Sequence, residues 1–270
     1  MDLVLLAVED RVATVTLNRP EARNAISTDL LTALRTQLAR ADEDPAVDVV
    51  VLTGADPAFC AGLDLKQLGS TGANLGPVAA GADRSSHPWP PLRKPLIGAV
   101  NGAAVTGGLE FALNCDFLVA SERARFADTH ARVGVLPGWG LSVLLPQRVG
   151  FAVARRMSFT GDYLTAEQAL AAGLVTEVVP HAELLPTAYR LAAGIVSNDQ
   201  EAVRALVASY RDTERAAHGD ALVLEQQHSD AWLARGFDPT SVEARRQSVL
   251  ARGRSQARHS LDPGADHAHR

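Results

Sequence analysis

The chain has 270 residues, 47% hydrophobic and 21% charged, enough to bury the core of one large domain or of a domain with an appendage. A formal net charge of −5 gives no electrostatic footprint for nucleic-acid binding. Its two cysteines, Cys60 and Cys115, lie far apart without a CxxC spacing, which argues against a thiolate metal site or a disulfide scaffold and fits a reducing cytoplasm.

The first element is read from "MDLVLLAVEDRV". Its apolar run is short and flanked by acids, so it predicts a strand rather than a signal peptide. No stretch approaches the ~20 apolar residues of a membrane span, so the expected location is cytoplasmic. "LVLLAV" and "VATVTL", separated by Glu9, Asp10 and Arg11, predict a hairpin. Ser27 suits a helix cap, with Asp29 in the first turn and Leu30, Leu31, Leu34 and Leu38 on the apolar face. "VDVVVLTG", "PLIGAVNG" and "CDFLVAS" read as further strands, with a helix starting near Gly107 between the last two. This alternation through about residue 180 is an α/β pattern. Residues 69–91, rich in Gly, Ala, Ser and Pro, read either as a substrate-access flap or as a disordered insertion. Beyond Val179 the pattern is helical: "AELLPTAYRLAAGIV", "EAVRALVASYRDTERAA", "ALVLEQQHSDAWLARG" and "SVEARRQSVLARG". The polar end, with His259, His267 and His269, reads as a solvated tail in preference to a metal site.

Two glycine-bearing loops follow strands, "GADPAFCAGLDL" and "VNGAAVTGGLEFALNCD", and neither has the dinucleotide or P-loop spacing. Gly107 and Gly108 open an apolar helix whose first-turn N–H groups have no intrahelical partner, donors suited to an oxyanion that forms during reaction. The same pair also suits close packing of helix on strand. Glu110, in that first turn, is either favoured there by the helix dipole or a buried acid/base aimed at whatever the amides bind.

"PAFCAGLDL" and "VNGAAVTGGLEFALNCDFLVASERARFADTHARVGVLPGWG" resemble the two signature regions of the crotonase (enoyl-CoA hydratase/isomerase) superfamily. "LNRPEARNAIS" and "TGDYLTAEQALAAGLVTEVV" extend the resemblance, which covers roughly residues 3 to 200 in order. It implies an α/β fold, a crotonase-like spiral of ββα units over residues 1–198. A helical trimerisation region over 199–257 and a disordered tail over 258–270 complete the expected domains. It also implies a homotrimer or a dimer of trimers, with an acyl-CoA thioester as substrate and neither metal nor further cofactor. Carried over residue by residue, the thioester oxygen would lie between the backbone N–H groups of Leu63 and Gly107. Coenzyme A would run along Arg23, Ala25, Ala61, Gly62, Asp64 and Leu65, with the Arg23 guanidinium suited to a phosphate.

Hydratases of this superfamily hold a water between two glutamates. The first corresponds to Glu110; at the position of the second, twenty residues on, stands His130. An imidazole can give or take a proton near neutrality, so Glu110 and His130 are the expected acid/base pair. Asp128, two residues before His130, shares its face in an extended segment without having to touch it. Trp139 stands in a turn that usually carries small residues, and either narrows the acyl pocket or packs under the next helix. The implied reaction is addition of water across a 2-enoyl-CoA. Isomerisation, thioester hydrolysis, decarboxylation through the same enolate, and acyl-CoA binding without turnover are the alternatives.

Overall fold

The computed structural model describes residues 2–72, 74 and 86–259. It opens with an antiparallel hairpin, β1 (Val4–Glu9) and β2 (Val12–Leu17), with Glu9 opposite Val12. Asp10 and Arg11 at its tip have φ of 46° and 66°, the left-handed pair that lets a two-residue turn follow the strand twist. Ser27 accepts the Leu30 N–H and starts α1 (Thr28–Glu43), which buries Leu30, Leu31, Leu34 and Leu38. The predicted face and cap are both present.

Three successive turns of chain then repeat one order: a strand in a larger sheet, a short strand in a smaller sheet, a helix. The first is β3 (Val49–Gly54), β4 (Ala58–Cys60) and α2 (Leu65–Ser70). The second is β5 (Leu96–Val100), β6 (Ala103–Val105) and α3 (Gly107–Leu113). The third is β7 (Phe117–Ser121), β8 (Arg125–Ala127) and α4 (His130–Val133). With β9 (Leu164–Thr165) and β10 (Glu177–Val179), the larger sheet has the order β1-β2-β3-β5-β7-β10 and the smaller β4-β6-β8-β9. The strands β2, β3, β5, β7 and β10 are parallel, as are β4, β6 and β8. Parallel strands covered on both faces become continuous apolar runs, which explains why every residue of β3 is buried. Because β4, β6 and β8 are parallel neighbours, their C-terminal ends share one edge, and the segments leaving them carry Leu63, Gly107 and His130.

The remaining helices are α5 (Leu141–Thr160, broken at Gly150), α6 (Ala166–Ala171), α7 (Leu184–Val196), α8 (Gln200–Ala234) and α9 (Pro239–His259). α7 covers the larger sheet, its Leu184, Ala188 and Ala192 clustering with Val49, Val51, Ile97 and Val119. α8 packs on α5, and α9 folds back over α2 and α4.

Three expectations need correction. The two helices read across residues 201–236 are one, α8, passing through Gly219 without a break. A helical glycine costs about 1 kcal/mol relative to alanine, less than the roughly 1.5–3 kcal/mol that burying a leucine such as Leu222 contributes. Helix α9 runs to His259, past the expected end at 257, and residues 260–270 lie outside the described residues. The stretch 69–91 is not one loop. Its start completes α2, and its end is packed, with Trp89 buried and the Pro88 carbonyl accepting from Arg35 Nε. Residues 75–85, the middle of that stretch, on which the choice between flap and insertion falls, lie outside the described residues. Among the described residues, no helix is long and apolar enough to cross a membrane, and no three His, Cys, Asp or Glu side chains group as for a metal.

Candidate active site

The two glycines at the start of α3 do different jobs. A Cβ at Gly108 would lie 2.1 Å from the Cys60 carbonyl oxygen, so this glycine is needed for the helix to pack on β4. A Cβ at Gly107 would instead point among Ile26, Trp139 and the Glu110 carboxylate. The close-packing reading therefore holds for Gly108. The Leu63 N–H is oriented by its neighbours. Leu63 forms a parallel bridge with Ile26 in which the Gly62 carbonyl and the Asp64 N–H make the hydrogen bonds. In such a bridge the central residue's own N–H points the other way. Neither the Leu63 nor the Gly107 N–H has a hydrogen-bond partner among the described residues.

Beside these donors lies a line of three buried ionisable groups. His130 Nδ1 is 2.7 Å from Asp128 Oδ1, and His130 Nε2 is 3.5 Å from Glu110 Oε2. The second distance is longer than a hydrogen bond and short enough for an ion pair. Asp128 was expected to share a face with His130 without necessarily touching it. It does touch, because Thr129 leaves the extended region and Asp128 Oδ1 also accepts the His130 N–H at 3.0 Å, an Asx-turn that opens α4. Burial opposes a charged imidazole here, but the Asp128 carboxylate, helped by Glu110, outweighs it and raises His130 to about 10. Asp128 moves the opposite way. Its burial is outweighed by His130, and it falls to about 2. The charged form of the imidazole is thus favoured, chiefly by Asp128.

Glu110 does not cap its own helix. Its Oε1 accepts the N–H groups of Gly138 at 3.2 Å and Trp139 at 2.8 Å, which leaves Oε2 facing His130. Trp139 also stacks on Phe111 with ring centroids 5.7 Å apart, and Phe111 meets Trp89 at 5.3 Å. Leu63, Glu110, His130 and Trp139 line one cavity of about 30 Å³, closed on the far side by Leu136 and by Ser229 and Leu233 of α8. Trp139 thus both packs on its neighbours and narrows this space. The C-terminal helices were expected to line the pocket, but Ser229 and Leu233 were not legible, because nothing in the pattern of α8 indicates which surface that helix covers.

The second group of predicted residues forms a separate line. The Ala61 N–H donates to the Arg23 carbonyl, and the Ile26 N–H to Gly62, lacing "RNAI" to "CAGLD". The Asp64 carboxylate is committed: it caps α2 through the Lys66 and Gln67 N–H groups and pairs with Arg19 at 2.7 Å. Arg23 is exposed, and Ala25, Ala61 and Leu65 are half-buried along the same line. A wider surface groove of about 570 Å³ is lined by Arg19, Asp64 and Lys66, and it takes in Asp64 alone of these six.

The family model described as "Enoyl-CoA hydratase/isomerase" matches residues 7–235. The chain belongs to the enoyl-CoA hydratase/isomerase family. A crystal structure of an enoyl-CoA hydratase from Mycobacterium smegmatis superimposes with a TM-score of 0.79 at 55% identity, covering 86% of this chain and 99% of that one. The "Probable enoyl-CoA hydratase 1, peroxisomal" of Arabidopsis thaliana is 36% identical over 242 residues, 90% of each chain. The "Crotonyl-CoA hydratase" of Syntrophomonas wolfei is 35% identical over 203 residues, 74% of this chain and 78% of that protein. As a member of the enoyl-CoA hydratase/isomerase family, the chain has the spiral of ββα units expected of it, and it brings Leu63, Gly107, Glu110, His130 and Trp139 to one place.

Proposed function

We propose that the chain hydrates a 2-enoyl-CoA thioester, with Glu110 as base and His130 as acid. The observation that carries this reading is the Glu110–His130 pair opening onto the same cavity as Leu63, with Gly107 beside the Glu110 carboxylate. The thioester oxygen sits between the Leu63 and Gly107 N–H groups, which stabilise the enolate charge as it develops. Glu110 Oε2 takes a proton from water while the water oxygen bonds to the β-carbon. His130 Nε2 delivers its proton to the α-carbon. The protonated Glu110 then returns a proton to the neutral imidazole across the 3.5 Å gap, restoring both groups. Asp128 keeps the imidazole charged and oriented. Histidine in place of the second glutamate therefore suits the acid half of the reaction. Coenzyme A follows Arg23, Ala25, Ala61, Gly62, Asp64 and Leu65, an assignment supported by the lacing of those two segments.

A trimer, alone or doubled, is part of the same reading, supported by exposed Phe151 and Phe159 on α5 and Leu206 and Tyr210 on α8. A cytoplasmic location fits two buried, unpaired cysteines, Cys60 and Cys115. The test is mass spectrometry of a panel of 2-enoyl-CoAs incubated with the protein in heavy-oxygen water. Hydration adds one labelled water to the intact thioester, and Glu110→Gln lowers kcat by roughly 10²–10⁴. An isomer of unchanged mass, or a labelled free acid, would overturn hydration in favour of isomerisation or thioester hydrolysis.

A further inference from the structure

The turn that holds Glu110 is itself held from a distant part of the chain. Glu225, on α8, is buried, and its carboxylate is turned into the start of α5. Its Oε1 accepts the Gly140 N–H at 2.6 Å, and its Oε2 accepts the Ser142 N–H at 2.6 Å together with the Ser142 hydroxyl. These are N-terminal amides of α5, which have no intrahelical acceptor, and Gly140 itself makes no side-chain cap. The peptide joining Trp139 to Gly140 is gripped at both ends. Its carbonyl accepts from Asn114 Nδ2 at 3.0 Å, and its N–H goes to Glu225. The two N–H groups that seat Glu110 Oε1 belong to Gly138 and Trp139, immediately before that peptide.

We propose that Glu225 is a positioning residue for Glu110, fixing the 138–142 turn so that Gly138 and Trp139 aim their amides at Oε1 and leave Oε2 to the reaction. This rests on the assignment of Glu110 as the base. The carboxylate is the one side chain that can accept at two amides 140 and 142 at once, since both oxygens are acceptors and a glutamine offers only one. Burial pushes the Glu225 carboxyl up, and the charge of Glu110 adds to this; the three donors at Gly140 and Ser142 oppose it. The turn between the two carboxylates shares its donors: amides 138 and 139 to Glu110, 140 and 142 to Glu225. Losing Glu225 frees the turn to rotate, and a misplacement of about 1 Å in a reacting group can cost roughly 10²-fold in rate.

The experiment measures kcat and KM separately for Glu225→Gln, Glu225→Ala and Ser142→Ala, with 2-butenoyl-CoA as substrate and a thermal melt of each variant. The expected result is a fall in kcat of roughly 10–100-fold for Glu225→Ala with KM little changed. Glu225→Gln should be partly rescued because one acceptor remains, and Ser142→Ala should be the mildest, having lost only the hydroxyl. A folded Glu225→Ala with the parent kcat overturns the proposal, as does a rise in KM with kcat intact, which would give Glu225 a part in substrate binding alone. If Glu225→Ala does not fold, the other two decide: parent kcat in both overturns it, and a graded loss at unchanged melting temperature supports it. Loss of turnover in Glu110→Gln with full turnover in the Glu225 variants would remove this inference alone. A parent protein without hydration would remove the assignment of Glu110 as well.

Discussion

His130 owes its chemistry to two neighbours on opposite sides of its ring, Asp128 at 2.7 Å and Glu110 at 3.5 Å. Imidazole NMR should show both ring nitrogens protonated at pH 7.5, and a titration near the ordinary 6.5 would contradict the ion-pair geometry. The linkage has a definite sign. A histidine whose folded-state pKa is raised stabilises the fold in full below its unfolded value near 6.5, and that stability is lost as pH rises through about 10. The melting temperature should therefore decline from pH 7 to 10, with part of the slope absent in His130→Gln. An acid at Nε2 also predicts that kcat falls as pH rises through about 10. At the same scale, Gly107→Ala should fold, since its Cβ meets only the end of the Ile26 side chain at 2.9 Å, yet lose turnover by crowding the cavity. Gly108→Ala should melt far lower, because its Cβ strikes the Cys60 backbone. Circular dichroism melts beside activity assays separate the two. The pair Glu110 and His130 was legible through the family resemblance, but the Asp128 contact was not, since an Asx-turn depends on the backbone bend at Thr129.

At the scale of elements, local signals worked where one stretch of chain contains the whole cause. The hairpin tip at Asp10 and Arg11, the Ser27 cap and the leucine face of α1 are of that kind. Helix α8 is the opposite case: its apolar pattern is weak in the middle and interrupted by Gly219, yet it runs through 35 residues. Gly219 has helical geometry with open space around it; a Cβ there would reach only Arg215 Cγ, at 3.6 Å. Gly219→Ala should thus raise unfolding stability by roughly 0.5–1 kcal/mol in urea titration, and a loss of stability would mean the helix bends there for a reason of its own.

On the scale of the whole molecule, Phe151 and Phe159 on α5 and Leu206 and Tyr210 on α8 are exposed, side chains that the proposed trimer would cover. Light scattering should give a mass three or six times that of the chain, and a monomer at micromolar concentration would count against the trimer. By itself the sequence determined the α/β alternation, the family and the chemistry-bearing residue types, because these reside in short motifs whose causes are local: turn glycines, buried strand runs, a glutamate three residues past a glycine. Only the tertiary structure decided that the edge formed by β4, β6 and β8 brings Leu63 and His130 to one cavity, with Gly107 beside it. It alone placed Glu225, 115 residues along the chain from Glu110, against the turn that seats that carboxylate. Strand pairing and helix docking join residues remote in sequence through buried area and unsatisfied amides, and neither leaves a periodic mark in the chain.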